Sequence, residues 1–510
     1  MSVGRLSAAL AGLAGTLAAQ APPRPSPITV SGLGTVTFPV STGSAAAESA
    51  FVKGVLLLHL FEYEEAEAQF RAAQALDSGM ALAYWGEAMT HDHPVWDEED
   101  PAAARAALAR YAPTGAQREA RAPTPRERGL LHAVDILFGD GPKARRDTLY
   151  SRAMDSLLVQ YPADDEIRTF YALSLLGLSQ GVRNVPTYLR AAAIAESVFA
   201  RNPDHPGAAH LWIHALDDPD HAARALPAAR ALAAISPDAG HAQHMTSHIF
   251  MALGMWDDVV RANVNARRVV NAELAARGAG PLRCGHSTLW LEYGYLELGR
   301  TDSARALMTG CRERARASGD PRDPDDSDLG SAVEMWSRYV IDTRDWSGAE
   351  IRWTPKFGAG RWARATWEFT RGLAAAERGD SAGLRRELGD FAATRGALSN
   401  EMASQPDDPE NIESRKRLDV LDLELEGELQ LAANPDSGVA LLRRATRIED
   451  SMAFAFGPPD VEKPSHELLG DVLLGLTRYG EAAAEYEAAL RKAPGRVTAV
   501  QGLARARAKQ

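Results

Sequence analysis

The chain is predicted to be an all-α solenoid of stacked helical hairpins. Three observations predict this: a composition of strong helix formers, a spacing pattern that recurs in two distant parts of the chain, and turn sequences that punctuate it. Alanine, leucine, arginine and glutamate dominate the 510 residues, and aromatic residues make up only 7%. The first group has high intrinsic helix propensity, whereas strands favour β-branched and aromatic side chains. A chain of this length is too long for one compact core, so it forms several domains or one extended array.

The array can be read residue by residue. Gly54 and Leu57 are followed by Ala66, Phe70, Ala73 and Asp77. Near the other end Gly470 and Leu473 are followed by Ala482, Tyr486, Ala489 and Ala493, with every interval the same. Each glycine recurs 32 residues on, as Gly86 and Gly502. Small residues let antiparallel helices approach, and Phe70 or Tyr486 fills the gap to the next hairpin. One such unit cannot bury its own apolar face, so units stack. The turns FEYEEA (61–66), GMWDDV (254–259), GRTDSA (299–304) and RYGEAA (478–483) join the paired helices. This pattern resembles the tetratricopeptide repeat (TPR) family, in the manner of a bacterial exported TPR-like protein. It is well matched over 47–92, 204–311 and 463–510 and degenerate over 112–200 and 331–457. The resemblance implies a right-handed superhelix whose first helices line a concave groove for a protein or peptide partner.

Taken in order, residues 1–21 carry Arg5, an apolar run and Ala19-Gln20-Ala21 before two prolines, the form of a secretory signal with its cleavage site. The run is shorter than the roughly 20 residues that span a bilayer, so no transmembrane segment is expected in the mature chain. Residues 22–46, rich in Pro, Gly, Ser and Thr, read as a linker with one short strand pair around ITVSGLGTVTFPV. Residues 47–317 form the first solenoid, and the acidic stretch 318–330 is the main internal boundary. Degenerate helical repeats fill 331–457, and 458–510 hold a last repeat and a capping helix with basic outer residues. The net charge of −12 gives no pull toward nucleic acid. Cys284 and Cys311 belong to no Cys-x-x-Cys pair. They fall on paired helices of one hairpin and can join as a disulfide in an oxidising compartment, with buried thiols as the alternative.

The histidines carry the chemistry. Seven of the 13 fall between 205 and 248, and Pro203 and Pro237, 34 residues apart, end successive helices. A shift by that period carries His210 onto His244 and His214 onto His248. Each pair is i,i+4, so both rings leave one face of a helix. Equivalent helices lie about 8 to 10 Å apart, which lets four imidazoles converge. In the family's register these positions face the groove. His241 and His286, each 13 residues before a turn glycine, extend the stripe. So do Glu87 with His91, His59 on the preceding helix, and Tyr293. Asp217 or Asp218 can add a carboxylate. Imidazole ligates Zn, Cu or Fe, so His210, His214, His244 and His248 are the predicted ligands of one divalent or redox metal ion. The competing reading is a groove whose histidines contact an anionic or aromatic partner.

Two formal motifs are set aside. Gly379-Asp380-Ser381-Ala382-Gly383 matches a nucleophile elbow but sits in a helix-to-helix turn. HLWIH at 210–214 lacks the glutamate of a zinc protease. The tryptophans at 85, 96, 212, 256 and 290 are read as packing residues, as are Trp353, Trp362 and Trp367 beside Lys356, Arg361 and Arg364. Two functions follow: an exported interaction module with a His-lined metal site, or a metal-dependent oxidoreductase or hydrolase inside the solenoid. Export to the periplasm or the medium predicts a mature chain beginning near Gln20 or Pro22. N-terminal sequencing checks this, and Met1 retained on cytoplasmic protein would contradict it.

Overall fold

A computed structural model describes residues 26–318, 328–358 and 360–510. The signal region 1–21 and most of the acidic stretch lie outside the described residues, while Asp328–Gly330 open the helix Asp328–Thr343. Among the described residues 23 α-helices follow one another, with two short two-stranded ribbons and no larger sheet. The molecule is an α-solenoid of TPR-like helical hairpins. None of the described helices is long and apolar enough to cross a membrane.

The degenerate regions are hairpins too, including Pro125–Leu137 with Lys143–Gln160 and Pro409–Leu431 with Pro435–Asp450. Their helix starts are set by side chains that satisfy free backbone N–H groups. Thr124 and Glu127 form a capping box, and Asp164, Asp408 and Asn434 cap their helices. The repeated glycines work as their spacing predicts. A Cβ on Gly86 would lie 2.4 Å from the Phe70 ring, and one on Gly502 would lie 2.3 Å from the Tyr486 ring.

Three features differ from the sequence reading. The segment read as a linker is built into the core from Ile28 onward. Strands Ile28–Val30 and Gly34–Val36 pair, Val36 and Phe38 are buried, and the Phe38 ring sits 5.1 Å from that of Phe51. The two hydrophobic clusters meet along the helices Asp328–Thr343 and Arg361–Glu377, each of which contributes to both, and not at the acidic stretch. Cys284 lies just before the helix His286–Glu297 and not on it; its disulfide to Cys311, one of the two expected states, joins Cα atoms 4.8 Å apart.

Both ends fold back on the middle of the array. At the front, the helix Ala45–His59 meets Pro206–Leu216 so closely that a Cβ on Gly207 would lie 2.5 Å from the His59 ring. At the rear, Trp256 donates its indole N–H to the Gly495 carbonyl at 2.9 Å. Arg496, fully buried, donates to Glu467 and Asp342 at 2.6 Å, to Tyr293 at 3.0 Å and to Glu297 at 3.1 Å. Phe70→Ala removes the ring shared by Gly54 and Gly86, and should cost about 3 to 5 kcal/mol. Chemical denaturation of the variant against the wild type measures it.

Candidate metal centre

Three helices supply the centre: Pro206–Leu216, Gly240–Ala252 and His286–Glu297. They are first helices of consecutive hairpins, so they lie side by side, and the i,i+4 pairs present their rings to the same interior. The ligand atoms of His210, His214 and His241 lie within 4.8 Å of one another, and so do those of His244, His248 and His286. The two triads adjoin. Ring centroids are 5.5 Å apart between His214 and His248 and 6.1 Å apart between His241 and His244. All four predicted ligands come together, with the half-buried His241 and the exposed His286 completing the triads beside them.

The register places the rings correctly, but their environment is a closed interior. His210, His214, His244 and His248 are all buried. Phe61 lies 4.4 Å from His210 and 5.6 Å from His214, centroid to centroid. Phe456, in the turn between the helices Pro435–Asp450 and Ser465–Gly475, lies 5.0 Å from His248. The chain's own aromatic residues thus cover part of the face where the family pattern implies a peptide groove.

The tautomers are set from outside. His210 donates from Nδ1 to the His59 carbonyl at 2.7 Å. His244 Nδ1 lies 2.6 Å from Asn263 Oδ1, and the Asn263 amide donates to the Val259 carbonyl at 2.9 Å, which orients that oxygen as the acceptor. His248 donates from Nδ1 to Asp217 at 2.9 Å. In a neutral ring with its proton on Nδ1, Nε2 carries a lone pair. Burial holds the pKa of His210 and of His244 down at about 4, and holds His214, His241 and His248 well below the ordinary histidine value. The cluster is therefore neutral at physiological pH, with lone pairs facing inward.

Two consequences identify what it suits. Nε2 of His210, His214 and His241 is buried in each case with no hydrogen-bond partner among the described residues. Nε2 of His244 and of His248 face each other at 3.3 Å, lone pair to lone pair. Two nitrogens bound to one tetrahedral zinc ion at about 2.0 to 2.1 Å would lie about 3.3 to 3.4 Å apart. The donor set, the spacing and the outer acceptors all fit a transition-metal ion.

The remaining predicted residues divide. Asp217 holds the outer nitrogen of His248 and is paired with Arg183; burial, opposed by Arg183, pushes its carboxyl up to about 6. Asp218 caps the next turn and accepts from His221 at 2.7 Å. His59 lies beside the centre, its carbonyl orienting His210 and its ring 2.8 Å from Glu166, which also meets His205 at 3.2 Å. Burial opposes ionisation of Glu166, but His205 and His59 outweigh it and hold the carboxyl at about 2. Glu87 is not in the stripe: Arg71, Arg110 and Gln74 surround its carboxylate. His91 lies with it, 3.8 Å from Glu67. Tyr293 belongs to the Arg496 cluster, because a phenol one repeat beyond His248 reaches the returning C-terminal hairpin.

Sequence reasoning missed Asn263, Phe61 and Phe456, whose positions carry no local signal. It assigned Trp290 to packing, and the ring does pack, directly on the second triad, 4.4 Å from His248. Trp353 packs on Trp336, and Arg312 rather than its sequence neighbours stacks over it.

No protein-family model matches the chain, and no curated protein matches it. Among solved structures it is similar to the human IFIT1 dimer with m7Gppp-AAAA, at 12% identity and a TM-score of 0.32, covering 92% of this chain and 91% of that one. It is similar to the APC/C hetero-tetramer Cut9-Hcn1 at 11% and 0.35, covering 90% and 76%, and to yeast Tom70 at 10% and 0.28, covering 91% and 95%. Likeness at this level carries no argument about function. The fold class rests on the hairpins themselves.

The Arg496 cluster yields a prediction of its own. Burial opposes ionisation of Glu467, but Arg496 and Lys463 outweigh it and hold the carboxyl at about 2. A depressed carboxyl stabilises the fold above its unfolded pKa of about 4.3 and loses that contribution as pH falls toward the folded value. Arg496→Met removes the guanidinium that Glu297, Asp342 and Glu467 share, leaving Glu467 with Lys463, and should cost about 3 to 5 kcal/mol near neutral pH. The difference from wild type should shrink between about pH 4 and pH 2, as read by denaturation at a series of pH values.

Proposed function

We propose that this chain is an exported metalloprotein in which a TPR-like helical-repeat scaffold holds a transition-metal centre between His210, His214, His241, His244, His248 and His286. The observation that carries the reading is the set of inward, unpartnered Nε2 lone pairs. A buried polar atom without a partner is destabilising unless something occupies its lone pair. A proton would place charge in a site whose burial disfavours it, whereas a metal ion satisfies several lone pairs at once. Neutral imidazole suits Zn, Cu, Fe or Ni, and the absence of thiolate from the donor set leaves all four open. In this reading the repeats act as a rigid frame that fixes ligand geometry. A protein or peptide partner would dock elsewhere than on the histidine face, which Phe61 and Phe456 already cover.

Elemental analysis of protein purified without a His tag should find near-stoichiometric metal. The double variant His210→Gln with His244→Gln should lose it while keeping its helix content. A chelator should lower the melting temperature of the wild type and leave that of the variant unchanged, because metal bound to the native state stabilises it by mass action. Metal-free protein indifferent to both chelator and added ions would refute the reading.

A further inference from the structure

Resting on that metal reading, we infer that the centre is dinuclear and asymmetric: His210, His214 and His241 hold a sealed ion, and His244, His248 and His286 hold a second ion with a position open to a small exogenous anion. Six imidazoles exceed the four ligands of one tetrahedral ion. A single ion bound by His210, His214, His244 and His248 would leave the buried Nε2 of His241 without a partner and the exposed His286 ring unused. The donors group into two sets of three, each with its ligand atoms within 4.8 Å of one another, and His214 and His248 form a further such group with Asp217 where the two sets adjoin.

The surroundings of the two sets differ. Phe61 covers the first, with its ring 4.4 Å from His210, 5.6 Å from His214 and 5.7 Å from His241, and Trp96 adds a further face 5.7 Å from His241. Trp290 backs the second set, which adjoins two cavities. One of about 190 Å³ reaches His248, and another of about 320 Å³ reaches His286, with the Phe456–Pro459 turn lining both. Since a water molecule's share of liquid volume is about 30 Å³, either cavity accommodates several small molecules. Each set supplies three protein ligands, one short of a closed tetrahedral shell, and the cavities beside the second set place its fourth position within reach of an incoming ligand.

Charge names the incoming ligand. Six neutral imidazoles bring no negative charge, and the carboxylate nearest to them, Asp217, is already paired with Arg183 and hydrogen-bonded to His248. Two adjacent cations in this interior lack a counter-charge, which an anion entering from the His286 side supplies. Hydroxide formed from bound water, or another small anion, has that chemistry.

The test loads metal-free, untagged full-length protein with copper(II), removes loose ions on a chelating resin, and counts copper per chain. Two ions are expected in the wild type. His241→Gln and His286→Gln, each checked for wild-type helix content, should retain one. Azide is then titrated against the loaded proteins. A saturable azide-to-copper absorption band should appear in the wild type and in His241→Gln, and should be lost in His286→Gln, which keeps only the sealed ion. No retained copper in the wild type would overturn this inference together with the metal reading. One copper in the wild type would leave the metal reading standing and overturn the dinuclear one. Two coppers with an azide band that survives His286→Gln and is lost in His241→Gln would overturn the assignment of the open position. If either variant fails to fold, the wild-type copper count still decides the dinuclear claim, and azide binding to wild type decides whether an open position exists.

Discussion

Three hydrogen-bond acceptors on the outside of the histidine cluster determine what its inside can do. The His59 carbonyl, the Asn263 amide oxygen and the Asp217 carboxylate each take an Nδ1 proton. Each sends a lone pair inward, where no protein donor among the described residues meets it. Without these acceptors the rings could exchange tautomers and pair with one another as an ordinary buried polar network. With them, the interior becomes a set of bases held at ligand spacing. The acceptors come from three different places in the chain, a helix C-terminus, the second helix of a hairpin and an interhelix turn. The centre therefore depends on the whole stack keeping its register.

The repeat architecture explains how one interior gathers so many like groups. Successive first helices share an orientation, so a residue type repeated at one register position becomes a line of side chains across the stack. A line of histidines in an open groove would be solvated and titrate near its ordinary pKa. Here the line is closed from both ends. The first hairpin brings Phe61 over one triad, and the C-terminal hairpin returns on Arg496, Gly495 and Trp256. That return carries the turn around Phe456 against the other triad. The buried ion pairs of Arg496 with Glu297 and Asp342 join residues 199 and 154 positions apart in sequence, so the closure is a long-range property of the fold.

Much of this was legible in the residues. The glycine and aromatic intervals 54–70–86 and 470–486–502 encode close helix contacts, and those contacts occur. The 34-residue translation relating His210 to His244 and His214 to His248 encodes adjacency, because helix period and repeat period are local properties of the chain. Glu87 and Tyr293 also fit the stripe by register yet point into other clusters, since register fixes a face and not the neighbours that meet it.

The amino-acid sequence by itself determined the helical hairpins, their stacking order and the face on which the histidines stand, because these follow from periodicities of 3.6 residues and of one repeat. Only the tertiary structure decided that this face is interior, that His241 and His286 complete two triads, and that Asn263 and Asp217 orient the rings. Those outcomes depend on how far the array curves and on which distant segments meet. Curvature is the sum of small packing angles over many hairpins, and no local interval records it.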